Sequence, residues 1–406
     1  MKIIFFLENN SNGGMDSFLS NLINYWPQEE DSICLICNSD HPGIKNLKDS
    51  ITRNIEFVEH DIPLLVAEVN RLFFWLPFFF RKFIRPFYKI LLFPVQLRRL
   101  TLLLKQIDGE RLISINGAYP GGETCRIVNI AWKKIGKPPS IHNIHNFAIP
   151  PRFLFSWYEN WVDAQLETSV KKFIAVSKCC SKSLELRPKI RNSKKISYIY
   201  NGVCHPDIKK ENIFNLRDEL KISKSKICLM LGNYEPRKGH SFLFKSFKKV
   251  AEQYSDISLV VCGDGSAEQK NEVKKALDKF AKGLDVHLLD FIPNGRYLIN
   301  QADILLIASQ EWESFGLTAA EAMIRGVPVV STNSGGLAEV IGKDGDAGFS
   351  VDINDAASFS ESILRLIKDD EKRASVIAKG YERSRKMFTV ERMALEYAEI
   401  IRGKSI

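Results

Sequence analysis

Short apolar runs alternate with amphipathic stretches along nearly the whole chain, beginning with the run from Ile3 to Leu7. Apolar runs between turn signals are typical of buried strands, and the stretches between them follow the helical period. Repeated strand and helix units predict α/β domains with doubly wound parallel sheets. The predicted strands are 2–7, 33–37, 55–58, 111–115, 139–144, 172–176 and 196–199 in the first half, and 227–232, 257–262, 285–289, 303–307, 327–331 and 348–351 in the second.

A chain of 406 residues is too long for one ordinary core, and each half carries its own strand series. We therefore predict an N-terminal domain over 1–205 and a C-terminal domain over 206–385, with the polar run 209–225 as a linker region. The last stretch, 386–406, predicts a helix. This helix either stays with the second domain or crosses back to the first. Two such domains are expected to face each other across a cleft, with ligands at the carboxyl ends of the strands.

The composition, 45% hydrophobic and 26% charged without low-complexity tracts, is that of a soluble globular protein. No run reaches the roughly 18 to 20 apolar residues that span a bilayer, and the apolar N-terminus is too short for a signal peptide. Cys34 and Cys37 form a C-x-x-C inside an apolar run, which favours buried thiols over a zinc or redox site. Histidines, cysteines and carboxylates nowhere show metal-ligand spacing, so we expect no metal and no cofactor.

The net charge of +9 is concentrated within the segment 64–107. Between Arg71 and Ile107 there are eight basic residues, ten aromatic residues and no acidic residue. Pro77, Pro86 and Pro94 predict short or kinked helices rather than one long helix. On a helical projection four cations share one arc and aromatic residues lie opposite: Arg81, Lys82, Arg85 and Lys89 against Phe79, Phe80 and Phe83.

Cations on one face and aromatics on the other suit contact with an anionic membrane surface. The alternative is a pair of ordinary helices that pack on the N-terminal sheet and have a solvated basic face. Nucleic-acid binding is disfavoured because no known nucleic-acid motif accompanies the charge.

Two loops in the second half carry candidate chemistry. Phe315-Gly316-Leu317 leads from a predicted strand into a helix, whose first N–H groups can bind an anion. Glu313 precedes this turn and Glu321 lies about one turn inside the helix, where carboxylates suit sugar and ribose hydroxyls better than phosphate. The pair can equally be solvated glutamates.

Arg237 and Lys238 are adjacent on the loop after the first strand of the second series. Such a pair can neutralise a departing diphosphate without a metal, although a basic pair on a loop is commonly only solvated.

In the first half, Gly13 and Gly14 follow the first strand and allow a ligand to approach the backbone at a helix start. The dinucleotide fingerprint is absent because no third glycine follows at the required spacing. His145 lies at the carboxyl end of a predicted strand, where cleft residues sit, whereas His142 lies within the strand and is interpreted as structural.

Together these stretches resemble glycosyltransferase family 4, whose members have the GT-B architecture of two Rossmann-like domains. The resemblance covers most of the chain and is strongest between Ile196 and Gly348. The motifs that carry it are Ala175-Val176-Ser177-Lys178, Ile199-Tyr200-Asn201-Gly202-Val203, Arg237-Lys238-Gly239, the E-x7-E pair Glu313 and Glu321, Gly326-Val327-Pro328-Val329-Val330 and Ser334-Gly335-Gly336.

The resemblance implies a role for each matching position. Arg237 and Lys238 would bind the donor diphosphate together with the backbone of Phe315, Gly316 and Leu317. Glu321 would hold the ribose, and Glu313 would contact the donor sugar near the anomeric carbon. His145 would lie close to the reacting sugar, and Gly13 with Gly14 near the phosphates or the acceptor.

The resemblance thus implies a retaining glycosyltransferase that moves a sugar from a UDP- or GDP-type donor to a saccharide acceptor. The basic aromatic segment points to a lipid-linked, lipopolysaccharide, capsule or O-antigen precursor, with the enzyme peripheral on the cytoplasmic face of the plasma membrane. A non-hydrolysing nucleotide-sugar epimerase and a non-catalytic nucleotide-sugar binding protein remain the alternatives. The donor base, sugar, linkage and oligomeric state stay open.

Overall fold

A computed structural model describes residues 1–10, 14–205, 214–292, 295–342 and 346–404. The chain divides into two compact units, Met1–Gly202 together with Val390–Ile406, and Val203–Thr389. Each unit is an α/β domain built on its own parallel sheet.

The first unit contains a seven-stranded sheet in the order β3-β2-β1-β4-β5-β6-β7. All of its neighbouring strands pair in parallel, as the continuous apolar runs predict. Its strands are β1 (Lys2–Leu7), β2 (Ser32–Asn38), β3 (Glu56–His60), β4 (Arg111–Asn116), β5 (Ser140–Ile144), β6 (Val170–Ala175) and β7 (Ile196–Tyr198). Its first helices are α1 (Gly14–Asn24), α2 (Ile44–Ser50), α3 (Leu65–Leu72), α4 (Phe78–Ile107), α5 (Glu123–Lys134), α6 (Ser156–Ser169) and α7 (Lys178–Lys182).

Both faces of the first sheet are buried. Ile3 and Phe5 of β1 point into one core, and Ile4 and Phe6 point into the other, because successive strand residues face opposite sides. The same alternation separates Cys34 from Cys37, which lie in different cores. Burial raises the pKa of both thiols to about 12. The two cysteines are therefore ordinary core residues, as the apolar context of the C-x-x-C predicts.

The second unit contains a six-stranded sheet in the order β10-β9-β8-β11-β12-β13. Its strands are β8 (Lys226–Leu231), β9 (Ile257–Cys262), β10 (Val286–Leu289), β11 (Ile304–Ile307), β12 (Val329–Thr332) and β13 (Phe349–Val351). Its helices are α8 (Leu216–Leu220), α9 (His240–Ala251), α10 (Ala267–Phe280), α11 (Leu317–Ile324), α12 (Leu337–Ile341), α13 (Ala356–Lys368) and α14 (Asp370–Met387). The strand predictions are confirmed to within two residues in both units.

The polar run 209–225 is only partly described, and its described part departs from the predicted linker. Residues 216–220 form α8, capped by the Asn215 side chain, which accepts from the N–H groups of Arg217 and Asp218. Gln301 fixes this helix start to the second unit by accepting from the Leu216 N–H at 2.7 Å. Polar composition failed to show this helix because α8 is short and its one buried residue is Leu216.

The last helix, α15 (Val390–Arg402), belongs to the first unit. Tyr397 is buried there, and its hydroxyl accepts a 2.6 Å hydrogen bond from the Asn143 amide of β5. Lys171 of β6 donates to the Ile400 carbonyl at 2.7 Å, and Arg402 pairs with Asp31. The amphipathic pattern of the tail is thus satisfied by the first sheet.

Helix α4 corrects the prediction of short or kinked helices in the basic aromatic segment. Pro77 does precede the helix, but Pro86 and Pro94 lie inside its 30 residues. Each internal proline removes one backbone hydrogen bond and costs about 3 kcal/mol in a helix interior. Tertiary packing offsets that cost, because the second half of α4 is anchored in the core by Leu92, Phe93, Leu100, Leu104 and Ile107.

Candidate functional site

In the second unit, the loop between β8 and α9 holds Arg237 and Lys238 in a single 3-10 turn. Gly239 ends the turn with φ +75°, and a Cβ there would lie 2.0 Å from the Ala308 carbonyl oxygen, so only glycine fits. The Gln310 N–H donates to the Arg237 carbonyl at 2.8 Å, which ties this loop to the loop after β11. The two cations are therefore presented by backbone that neighbouring strands fix.

Glu313 receives both cations at one carboxylate oxygen. Its Oε1 is paired with Lys238 Nζ, lies 3.5 Å from Arg237 Nη1, and accepts from Ser309 Oγ at 2.7 Å. Arg237 also pairs with Glu235 at 2.6 Å and stacks 4.7 Å from the centroid of the Trp312 ring. These side chains are partly exposed, so an anion from solvent can reach Arg237 and Lys238.

Helix α11 starts beside this cluster. Gly316 has φ +100°, and a Cβ there would lie 2.4 Å from Leu337 Cδ1, so the turn into the helix requires glycine. Leu317 and Thr318 are the first helical residues, and their N–H groups therefore have no intrahelical acceptor. A helix start of this kind beside two cations favours a negatively charged group.

Glu321 lies one turn into α11. Burial raises the pKa of its carboxyl above the ordinary value, and Arg296 and Arg325 oppose that rise. A carboxyl in this setting suits hydrogen bonds with hydroxyl groups rather than binding of phosphate. The structure thus gathers Arg237, Lys238 and Glu313 into one cluster and sets Glu321 within the helix that begins next to it.

In the first unit, His145 directly follows β5. Its N–H donates to the Asn116 carbonyl at 2.9 Å, and its ring packs edge-on against Phe18 of α1 with centroids 4.3 Å apart. Its Nε2 is buried and has no hydrogen-bond partner among the described residues. Burial lowers the pKa of His145 to about 3. The imidazole is therefore neutral near pH 7, with one ring nitrogen left to bond a ligand.

The glycine loop after β1 is described only in part, since Gly13 lies outside the described residues. Gly14 is exposed and begins α1. Two residues further on, Asp16 accepts from the Asn9 amide at 2.8 Å and pairs with the buried His41 ring at 3.1 Å. These polar contacts fix the first turn of α1.

Glu8 is a candidate that the sequence reasoning missed. It directly follows β1, and its Oε2 accepts from the Thr124 N–H at 2.9 Å and the Thr124 hydroxyl at 2.6 Å. Burial raises the pKa of the Glu8 carboxyl. Its place at the carboxyl end of a strand was the available signal, because this is the edge where ligands bind in such sheets.

The basic aromatic segment presents its aromatic side outward. Phe79, Phe80, Phe83 and Phe87 of α4 are all more than half exposed. The first half of α4 therefore leaves its rings exposed, whereas its second half packs in the core as the alternative expects. Lys82 is exposed, while Arg81 and Arg85 are half-buried.

Lys89 is a correction to the predicted surface residues. It is nearly buried and pairs with Glu123 of α5 at 2.6 Å, with Glu159 of α6 at 4.0 Å. The helical projection placed it with the other cations but did not show that two carboxylates lie beneath it. Lys89 therefore belongs to the interior rather than to an exposed basic face.

Below Lys89 a buried ionic network joins α5, α6 and the loop before α5. Asp163 accepts from Arg187 Nε at 2.8 Å and from the Tyr119 hydroxyl at 2.7 Å, and Arg187 also pairs with Glu159 at 2.8 Å. Although burial opposes its ionisation, Arg126 and Lys89 hold the pKa of Glu123 below its ordinary value. Three cations and three carboxylates make up this network: Lys89, Arg126, Arg187, Glu123, Glu159 and Asp163.

The described ranges contain neither a membrane-spanning helix nor a metal-binding cluster. None of the helices there combines the length and the apolar character that a bilayer span requires. Likewise, the described part of the chain holds no group of three or more histidine, cysteine or carboxylate side chains placed to bind a metal ion.

Part of this chain matches a known protein family, and longer stretches of it are similar to characterised proteins. Residues 212–383 match the family model described as Glycosyl transferases group 1. The N-acetyl-alpha-D-glucosaminyl L-malate synthase of Bacillus anthracis is 26% identical over 303 residues, 73% of this chain and 70% of that protein. The lipopolysaccharide 1,2-N-acetylglucosaminetransferase of Salmonella typhimurium is 29% identical over 269 residues, 61% of this chain and 68% of that protein.

Among solved structures, Anabaena Alr3699/HepE in complex with UDP superposes with a TM-score of 0.76. The likeness covers 99% of this chain and 100% of that one at 17% sequence identity, a level that shows shared fold. The chain therefore has the GT-B fold, and its residues 212–383 are similar to the glycosyl transferases group 1 family.

Proposed function

We propose that this protein is a retaining glycosyltransferase that moves a sugar from a nucleoside-diphosphate sugar to a saccharide acceptor. The observation that carries the proposal is the cluster of Arg237, Lys238 and Glu313 beside the start of α11, within the group 1 domain. The similarity to two sugar-transferring or sugar-conjugating relatives, and to a structure that holds UDP, supports it.

In this proposal the second unit binds the donor. Arg237 and Lys238 exchange Glu313 for the diphosphate and stabilise the negative charge that develops as the nucleotide leaves. The backbone of Phe315, Gly316 and Leu317 contributes the helix start. These cations supply the charge neutralisation that a divalent ion would otherwise provide, so we expect turnover to persist in a chelator such as EDTA.

The two glutamates take different partners because their surroundings differ. Glu321, whose pKa burial raises, bonds the ribose hydroxyls. Glu313 is freed from Lys238 when the diphosphate binds and then contacts the donor sugar near the anomeric carbon. His145 of the first unit, with its unpartnered Nε2, bonds the reacting sugar, and Gly14 lies by the phosphates or the acceptor.

We further propose that the acceptor is lipid-linked, of the lipopolysaccharide, capsule or O-antigen precursor kind, and that the enzyme works on the cytoplasmic face of a bacterial plasma membrane. The exposed phenylalanines of α4 and the neighbouring cations support this, since that combination suits an anionic lipid surface. Replacing Phe79, Phe80 and Phe83 with Ser should move the protein from the membrane to the supernatant fraction. Unchanged fractionation would contradict membrane contact by α4.

Thermal stabilisation by nucleotides tests the donor site. A ligand at 100 times its Kd stabilises the folded state by about 2.7 kcal/mol. We expect UDP or GDP, and the corresponding nucleotide sugar, to raise the melting temperature of the wild type but not of Lys238→Ala. Lys248→Ala is the matched control, because it removes the same charge from an exposed position on α9.

The same experiment separates the alternatives once a donor is identified. A glycosyltransferase transfers the sugar to an acceptor and hydrolyses the donor slowly in its absence. Conversion of the donor into its sugar epimer would instead identify an epimerase. Binding without any turnover would identify a nucleotide-sugar binding protein.

A further inference from the structure

A small apolar slot lies between α4 and α6 in the first unit. It has a volume of about 330 Å³ and is lined by Ile90 and Phe93 of α4 and by Trp157, Tyr158 and Trp161 of α6. We call this the aromatic slot. Its position is distinct from the donor-site cluster, which belongs to the second unit.

The aromatic slot has a buried floor and an exposed rim. Phe93 and Tyr158 are buried and form the floor, with Phe93 edge-on to Trp161 at a centroid distance of 5.0 Å. Trp157 and Trp161 form the rim and are 64% and 45% exposed. All five lining side chains are aliphatic or aromatic, so the slot offers a ligand almost nothing polar.

The charges next to the slot are already neutralised. Lys89 Nζ lies 5.7 Å from the centroid of the Tyr158 ring, and it is paired with Glu123. Glu159, the residue after Tyr158, is paired with Arg187. Because these groups compensate one another, the slot favours an uncharged, apolar ligand.

The two chain segments that line the slot also carry exposed apolar side chains. Phe83, Phe87 and Leu91 of α4 are exposed, and Phe87 joins the two segments by packing edge-on against Phe155 at 4.9 Å. On the other segment Phe153 is 90% exposed and Leu154 is 76% exposed. Contiguous exposed apolar surface of this kind marks an interaction site rather than ordinary solvent-facing structure.

Two exposed cations belong to the same two segments. Lys82 lies on α4 and Arg152 directly precedes Phe153. A ligand that combines a hydrocarbon chain with a phosphate matches this arrangement: its chain fits the slot, and its phosphate is attracted to the cations.

We propose that the aromatic slot binds one hydrocarbon chain of the lipid that carries the acceptor saccharide. This inference rests on the proposed function, which calls for a lipid-linked acceptor. Trp157 and Trp161 hold the chain at the rim, and Ile90, Phe93 and Tyr158 contact it along the floor. The surrounding aromatic side chains contact the membrane from which the chain comes.

Quenching by a brominated chain tests the slot directly. The full-length protein is titrated with 12-bromododecyl phosphate below its micelle concentration, since bromine quenches tryptophan fluorescence on contact. We expect saturable quenching with a stoichiometry of one in the wild type. The Trp75→Phe variant, which removes another exposed tryptophan outside the slot, should keep that quenching, whereas Trp157→Phe combined with Trp161→Phe should lose it. Quenching that does not saturate, or that survives in the double variant, would overturn the proposal.

Affinity gives a second readout that does not depend on fluorescence. By calorimetry with dodecyl phosphate, Ile90→Glu, which puts a charge into the slot, should abolish binding, and Trp157→Ala should weaken it at least about tenfold. Trp157 is exposed, so its truncation leaves the fold intact and keeps the test decisive if Ile90→Glu fails to fold. Phe79→Ser, outside the slot, should change the affinity less than about twofold. Equal affinity in Trp157→Ala and the wild type would contradict the proposal.

The remaining outcomes assign the slot to another occupant or separate it from the donor chemistry. Sedimentation velocity tests for a dimer. If the wild type is a dimer that Trp157→Ala dissociates but dodecyl phosphate does not, the slot binds a second copy of this chain instead of a lipid. If nucleotides stabilise the protein but dodecyl phosphate does not bind, the slot proposal fails alone. If dodecyl phosphate binds but no nucleotide stabilises the protein, the proposed transferase function fails, while the aromatic slot remains a binding site for a hydrocarbon chain.

Discussion

Helices α4 and α9 are both rich in phenylalanine and lysine, yet they use these residues in opposite ways. In α9, Phe242, Phe244 and Phe247 are buried in the core of the second unit, and the lysines face outward. In the first half of α4, Phe79, Phe83 and their neighbours are exposed, and Lys89 is buried in an ion pair. The amphipathic pattern is the same in kind, so it fixes which residues share a face without fixing which face is inside.

The difference lies in what each helix packs on. Helix α9 packs on an apolar sheet and contacts α10 and α13. Its phenylalanines fill the space between these elements. The first half of α4 lies near α5 and α6 where these carry Glu123 and Glu159, which accept a cation rather than a ring. The exposed aromatic face of the first half of α4 is therefore suited to contact with another apolar surface, such as a membrane.

The comparison predicts its largest effect for phenylalanine truncation. Phe247→Ala in α9 should lower the free energy of unfolding by about 3–5 kcal/mol, because it leaves a cavity in a close-packed core. Phe83→Ala in α4 should change it by less than about 0.5 kcal/mol, because that ring is 60% exposed. Urea denaturation of both variants measures this. Similar losses in the two would show that α4 also buries its aromatic side.

The two lysine–glutamate pairs predict the next effect. Lys238 and Glu313 are partly exposed at the proposed donor site, so Lys238→Ala should lower kcat by about 10²–10³-fold, equivalent to roughly 2.7–4 kcal/mol, with little change in stability. Glu123→Gln should instead destabilise the fold, because it leaves Lys89 and Arg126 buried without their shared partner. Turnover and denaturation are measured on both variants. The two assignments would be reversed if Lys238→Ala lowered stability but not kcat, and Glu123→Gln lowered kcat but not stability.

Lowering the pH should reduce the stability of the first unit before that of the second. Burial lowers the pKa of His142 and His145 to about 3 and of His60 to about 4, whereas the second unit has His240 at about 4. A pKa below the ordinary value of 6.5 means that the unfolded chain binds the proton more readily, so this stability is present above pH 6.5 and is lost as the pH falls. Each histidine contributes up to about 1.4 kcal/mol per pH unit below that point.

Hydrogen exchange followed by mass spectrometry at pH 7 and pH 5 resolves the two units. Peptides from β4 and β5 should lose protection first, since His142 of β5 is paired with Ser114 of β4, with His142 Nδ1 2.7 Å from the Ser114 hydroxyl. Earlier loss of protection in β8 and β11 would contradict the assignment.

The smallest effect concerns single surface cations. Lys82→Ala on α4 should weaken binding to phosphatidylglycerol vesicles by about 1 kcal/mol, roughly fivefold, and the loss should shrink in high salt. Lys248→Ala on α9 removes the same charge from an ordinary solvated face and should leave vesicle binding unchanged. Vesicle flotation at two salt concentrations distinguishes the two variants. An equal loss of vesicle binding in both would show that only the net charge of the protein matters.

Most of the fold could be predicted because strands buried on both faces leave a mark that needs no tertiary information. Runs such as Ile3–Leu7 and Ile33–Cys37 are apolar at every position. Arg237, Lys238 and His145 likewise follow predicted strands, which places them at carboxyl ends. The pairing of Lys238 with Glu313 was not predictable, since 75 residues separate them and only the parallel order of β8 and β11 brings their loops together.

The surface formed by α4 and α6 shows the opposite case. Phe153, Leu154 and Trp157 gave no periodic signal, and their importance comes from lying beside α4, about 60 residues earlier in the chain. Likewise Pro86 and Pro94 argued against a long helix locally, but packing of the second half of α4 on the core outweighed them.

The sequence by itself determined two doubly wound domains, the position of the loops that carry Arg237, Lys238 and Glu313, and the existence of an amphipathic, basic aromatic segment. These follow from short-range patterns, namely apolar runs, glycines that tolerate positive φ, and the spacing of charged residues. Only the tertiary structure decided that Lys89 is interior and Phe83 exterior, that Glu313 pairs with Lys238, and that an aromatic slot exists. Each of these depends on which groups lie across a contact, and charge compensation and side-chain packing are settled between distant segments rather than along the chain.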